Sequence, residues 1–142
     1  MYKFFAPIIV TTATSVLSVP IQVRITNLDA QKGNLNIAVF DQKTKDYFPN
    51  GAKATLKIVK KVNGRTMTIE FKNNQSKQIA ISAFQDLNMD KELNMSWFPV
   101  PAPKEPVGFS NNYLPKFGPP KYKGAEITVP PTLIKIRMQR LD

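Results

Sequence analysis

The chain has 142 residues, 42% of them apolar, with 20 Lys and Arg against 10 Asp and Glu, a net charge of +10, and neither histidine nor cysteine. That size and apolar content fit one globular core. The absences exclude a disulfide framework, thiol nucleophiles, histidine-dependent triads and the usual nitrogen and sulfur ligands of zinc, so any chemistry must use carboxylates, hydroxyls, lysines or a metal held by oxygen.

Met1-Tyr2-Lys3 opens a stretch from Phe4 to Val19 that carries no charge and exits through Val16 and Ser18. A short basic start, an apolar run and a small-residue exit make a secretory signal, with cleavage near Ser18. The rival reading is a membrane anchor. Against it, Pro7 and the Thr and Ser residues between Thr11 and Ser15 break a stretch that barely reaches the ~18 residues a span requires. Residues 1–18 are therefore read as a signal peptide and 19–142 as a single domain, periplasmic or secreted and without a transmembrane segment. Loss of Lys3 leaves 19 basic against 10 acidic residues, or +9.

After the signal the periodicity is that of strands. Ile21, Val23 and Ile25 alternate with polar residues, Leu35, Ile37 and Val39 alternate with Asn34, Asn36 and Ala38, and the turn-rich segment between the two runs suggests a hairpin. Phe40 falls on the opposite face from Val39, and residues 41–51 form a loop laying Tyr47, Phe48 and Pro49 against the sheet edge. Leu56 and Ile58 mark the next strand. Asn63-Gly64 predicts a tight type I′ turn, because both residues accept positive φ, joining that strand to one over residues 66–71. Residues 78–84 are apolar on both sides and predict a covered central strand ending near Asp86. Residues 125–129 and 132–140 give two more strands, separated by Pro130-Pro131. About seven short strands with such turns predict an all-β protein, an antiparallel β-sandwich of immunoglobulin or transthyretin type.

The loop after the central strand reads Asp86-Leu87-Asn88-Met89-Asp90-Lys91-Glu92-Leu93-Asn94. Oxygen side chains at the first, third, fifth and ninth positions and a backbone carbonyl at the seventh, Glu92, follow the rule for calcium loops, in which alternate residues converge on a hard cation. Lys91 stands where such loops need glycine, and Trp97 stands where they carry a bidentate glutamate, so weak calcium binding is the most this loop promises. The competing reading is a turn whose Asp and Asn side chains cap backbone N–H groups. Pro99, Pro101, Pro103 and Pro106 then impose an extended surface connection. Trp97 at its start serves either as a lid over the sandwich or as an aromatic platform. Gly108-Phe109-Ser110-Asn111-Asn112 reads as a folded turn with Phe109 as its anchor; its other use is as polar ligand groups, making Trp97, Phe109, Ser110, Asn111 and Asn112 a candidate ligand-binding set. Ser110 lies outside a nucleophile elbow and has no histidine to activate it.

The acidic loop, the Gly108–Asn112 signature and Phe117-Gly118-Pro119-Pro120 together resemble a family of small secreted bacterial proteins, the domain of unknown function numbered 2141. Its members read His-Asp-Glu-Asn-Gly-Asn-Gly-Lys-Leu-Asp, then Pro-Lys-Glu-Pro-Tyr-Gly-Phe-Ser-Asn-Asn, then Phe-Gly-Pro-Pro. Against that pattern Gln85 replaces the histidine, Met89 and Lys91 replace the two glycines, and Asn94 replaces the last aspartate. The resemblance implies a β-sandwich and brings no established activity.

Three functions remain. The first is an exported monomeric binding or accessory module of the cell envelope that uses residues 86–94 and 108–112, with an anionic envelope component or a glycan as partner. The second is a metal-dependent or carboxylate-based enzyme built on Asp86, Asp90, Glu92 and Glu105, and the third a purely structural envelope protein. The lysines are scattered and no nucleic-acid motif is present, so no specific nucleic-acid partner is expected.

Overall fold

A computed structural model describes Pro7 and residues 20–73, 76–96, 102–116, 118–129 and 133–141, with Ser96 as backbone alone. The signal-peptide stretch apart from Pro7, Trp97, Phe117 and the Pro130-Pro131 break lie outside these residues.

The strands form a sandwich of two sheets. One is ordered β10 (Leu133–Arg137), β1 (Pro20–Thr26), β4 (Met67–Lys72) and the other β3 (Leu56–Lys61), β2 (Asn34–Phe40), β5 (Gln78–Asp86), β8 (Val107–Phe109), with β9 (Ile127–Thr128) also joined to β5. β1 pairs antiparallel with β4 and parallel with β10. β2 lies between β3 and β5, and β8 borders β5. The alternation of each strand delivers its apolar face inward, so Ile37, Val39, Ile79, Ile81, Ile134 and Ile136 meet in one cluster, as the pattern predicts. β5 is buried along nearly its whole length because a second, smaller core covers its other face. There Phe40, Phe48, Phe109 and Tyr122 gather, Phe48 meeting Phe40 edge-on at 5.1 Å between ring centres. Tyr47 departs from expectation: it is exposed and its ring lies under Lys53 Nζ at 4.8 Å.

Both expected hairpins are replaced by crossings between the sheets. Residues 27–33 carry the chain from β1 to β2 in the opposite layer, with Leu28 only 2% exposed and positive φ at Asn27, Gln31 and Gly33. Asn63-Gly64 likewise links β3 to β4 across the layers, and neither residue takes the positive φ of a type I′ turn. Burial decides the matter: Val62, 2% exposed, is drawn into the core cluster, and that gain outweighs local turn preference. The two crossings lie side by side, Leu28 N donating to Arg65 O at 3.0 Å and Val62 N to Gly33 O at 3.1 Å.

Three further departures are local. The pairing of β1 with β10 is parallel, so the sandwich is antiparallel apart from that pair. The stretch at 125–129 divides into a helical turn, α1 (Tyr122–Ala125), and a short β9 (Ile127–Thr128). Beyond β10, Gln139 exchanges backbone hydrogen bonds with Val107, which joins the two sheets along one side.

Candidate functional site

β5 leaves the core at Asp86, which is 1% exposed and still paired with Asn34 of β2. Gly33, at φ +61°, lies so close that a Cβ there would sit 2.0 Å from the Asp86 carbonyl oxygen. From Asp86 the chain curls back on its own carboxylate. Asp86 Oδ1 accepts from Asp90 N at 3.2 Å and Oδ2 from Lys91 N at 2.7 Å, while Asp90 Oδ1 accepts from Glu92 N at 3.0 Å. Met89 and Lys91 take φ 56° and 67°, the left-handed region, at the two positions where the related motif has glycine. The curl therefore keeps a glycine geometry without glycine, at a cost of about 1–2 kcal/mol for each residue.

A two-residue ribbon then returns the chain. β6 (Met95–Ser96) pairs with β7 (Ala102–Pro103), and Lys104 N donates to Asn94 O at 2.8 Å. This brings in Glu105, 4% exposed, whose Oε2 accepts from Leu87 N at 2.7 Å and Oε1 from Asn94 N at 3.0 Å. Carboxylate oxygens of Asp86, Asp90 and Glu105 consequently lie within 4.8 Å of one another. Glu105 is the member that loop spacing misses. The sequence groups it with Asp86 and Asp90 only as a carboxylate of the enzyme reading, and its place between Pro103 and Pro106 gives no sign that it folds back onto the loop.

The capping turn and the cation loop use the same oxygens without excluding each other. A carboxylate has about four lone-pair directions. At Asp86 and Glu105 backbone N–H groups occupy two, and at Asp90 the Glu92 N–H and Asn88 Nδ2 do. Asp90 is held below the ordinary aspartate range chiefly by the hydrogen bond from the Glu92 backbone, which outweighs the opposing effect of desolvation, with Asn94, Asn88 and Asp86 adding lesser lowering contributions. Asn94 Oδ1 is buried and has no hydrogen-bond partner among the described residues. No lysine or arginine pairs with the three carboxylates there; the ion pair that does form joins Arg140 to Asp29. Asn88 and Glu92 are exposed, and the Glu92 carboxylate stands outside the three-carboxylate group.

The residues proposed from the Gly108–Asn112 signature serve the fold instead. Phe109 is 7% exposed in the second core, and Ser110 is fully buried. Ser110 Oγ accepts from Ile81 N at 2.9 Å and bonds the Ala125 carbonyl. Asn111 and Asn112 are exposed but tied down: Asn111 Nδ2 donates to Glu126 O at 2.8 Å, and Asn112 Oδ1 accepts from Arg137 N at 2.8 Å. Ser110 meets β5 at Ile81, five residues or about 16 Å along the strand from Asp86, so the two loops do not form one site. Trp97 is outside the described residues.

Gln85, the residue before the curl, is fully buried, its side chain spanning three backbone groups of the β1–β2 crossing. Its Oε1 accepts from Asp29 N at 2.9 Å, and Nε2 donates to Asp29 O at 2.7 Å and Lys32 O at 2.8 Å. Its signal in the sequence is a polar residue beside Asp86, at the position where the related motif has histidine.

The family model described as "Uncharacterized protein conserved in bacteria (DUF2141)" matches residues 23–136. The chain belongs to that family. The match takes in β2 to β9 whole together with the acidic curl, Glu105 and the Gly108–Asn112 turn, so the site described above lies inside the DUF2141 domain. No curated protein and no solved structure gave a match. Among the described residues no helix is long and apolar enough to cross a membrane.

Proposed function

We propose that this DUF2141 protein is an exported binding or accessory module of the bacterial envelope whose 86–94 curl, completed by Glu105, takes a calcium ion. One observation carries the reading: three carboxylates gather within 4.8 Å, two of them buried, with no cationic side chain paired to them among the described residues of a chain of net charge +10. Like charges so placed repel unless a cation is shared. The spacing suits calcium, since two oxygens each 2.3–2.6 Å from one ion can stand up to about 5 Å apart. The partnerless Asn94 Oδ1 adds a neutral oxygen of the kind calcium accepts. Asp86, Asp90, Glu105 and Asn94 would hold the ion, with Asn88 and the Glu92 carbonyl on its open side. An ion there would join the curl to the ribbon and rigidify this end of the sandwich.

The carboxylate-enzyme reading has less support, because Glu92 is apart from the group and Asp90 is held in its ionised form, the reverse of a general acid. The test is calorimetry and thermal unfolding with calcium against sodium chloride of equal ionic strength. A weak site, ~10⁻⁴ M, should give roughly 2.7 kcal/mol of stabilisation at ten millimolar calcium. Asp90→Asn keeps an oxygen for Glu92 N and should lose most of that response while remaining folded. Absence of a calcium response, or an undiminished one in Asp90→Asn, would refute the site.

A further inference from the structure

The two sheets differ on their outer sides. The outer face of the β2–β5 sheet is covered by the second core, whereas β10-β1-β4 presents an outer face that no described element covers, made of every second residue: Gln22 and Arg24, Thr68, Glu70 and Lys72, Lys135 and Arg137. All of these are exposed. The register sets Arg24 directly beside Lys135, with Arg137 one step further along the same strand beside Thr26. Neighbouring strands are about 4.8 Å apart and same-face residues about 6.7 Å apart, so three cations stand within about 10 Å. Glu70 is the face's acidic member, placed beside Gln22 and diagonally from Arg24 rather than directly beside any of the three cations. No carboxylate pairs with Arg24, Lys135 or Arg137 among the described residues. Like charges directly opposite on a sheet are unfavourable, so their juxtaposition here is repulsion without an internal counter-ion.

We infer that this face docks onto an anionic membrane surface, its cations meeting lipid phosphates. Charge complementarity gives the sign, and shape selects the partner class. Among the described residues the outward positions of these three strands carry no aromatic side chain, and the crevice that Arg137 borders at the strand edge has no room for a ring, so the face lacks the stacking platforms and channels that hold single-stranded nucleic acid or sugars. A plane of cations at strand spacing matches a plane of headgroups, where each basic residue near the surface strengthens binding about fivefold. The inference does not depend on the calcium site: the vesicle experiment can succeed or fail whatever calorimetry gives.

The experiment is co-sedimentation with vesicles of phosphatidylcholine containing 30 mol% phosphatidylglycerol, beside pure phosphatidylcholine, in 50 and 300 mM sodium chloride. The protein should sediment with the anionic vesicles alone and be released at the higher salt. The triple variant Arg24→Gln, Lys135→Gln, Arg137→Gln should partition about a hundredfold less. A charge-matched control, Lys57→Gln, Lys60→Gln, Lys61→Gln on edge strand β3, should lose no more than about threefold. Glu70→Lys, which removes an anion and adds a cation, should gain about twentyfold, which guards against a loss caused by misfolding. Equal losses in the two triple variants would reduce the effect to net charge and overturn the proposal. Failure of the parent protein to bind anionic vesicles at 50 mM salt would overturn it too, as would release by a soluble sulfated polysaccharide at charge parity with the lipid.

Discussion

Gln85 binds this end of the molecule through three hydrogen bonds to one connection, so its removal strands an N–H and two carbonyls at once. Unsatisfied groups of this kind cost about 1–3 kcal/mol each where water is excluded, and the crossing is only partly buried. Gln85→Leu, close in volume, should therefore destabilise by about 2–4 kcal/mol in urea unfolding; a change under about 0.5 kcal/mol would show that the crossing holds without it. Asp90 offers a pH-dependent counterpart. Its folded pKa is depressed, so its contribution is complete above the unfolded value and is lost as pH falls through the folded one. The stability gap between the parent and Asp90→Asn should accordingly close in acid, below about pH 4, and stay constant from pH 6 to 8. A gap that widened in acid would mean the carboxylate is not stabilised by the Glu92 N–H.

Elements built on alternation were legible in the sequence, and the connections between them were not. Ile81 and Ile136 sit fully buried where period-two patterning places them, and Ala at either should cost about 2–5 kcal/mol by equilibrium unfolding. The hairpin readings failed because turn chemistry is local whereas the choice of sheet is made by what a connection can bury, here Leu28 and Val62. The candidate site was legible in part for the same reason. Asp86 and Asp90 belong to one loop and their spacing could be read, but Glu105 arrives through a ribbon whose pairing depends on tertiary contact. Ser110 and its neighbours looked like ligand groups because Asn and Ser serve turns and sites alike; the buried carbonyls and N–H groups around them decide for the turn. Gly33 is where a connection and the site meet. Alanine there would add left-handed strain to a clash with the Asp86 carbonyl, so Gly33→Ala should cost about 2–5 kcal/mol and weaken calcium binding together, measured by unfolding and calorimetry on one sample.

At the scale of the whole molecule, charge is distributed against stability. A chain of +10 in which Arg24 and Lys135 stand side by side accepts repulsion that one substitution could turn into attraction. Cross-strand pairs of opposite charge contribute about 0.2–1 kcal/mol and like pairs oppose by similar amounts. Lys135→Glu should thus raise stability by about 1 kcal/mol at low salt, where the Debye length is ~30 Å, and by much less near 1 M, where it is ~3 Å. The same substitution reverses one charge of the docking face and should lower binding to anionic vesicles about twentyfold, since it both removes a cation and adds an anion. The two effects have one origin and must appear together: a variant more stable in 10 mM sodium chloride, indistinguishable from the parent in 1 M, and poorer at membranes. Unchanged stability at low salt would mean that Arg24 and Lys135 do not feel each other across the strands, and the electrostatic argument for the face would then lose its foundation whatever the vesicles showed.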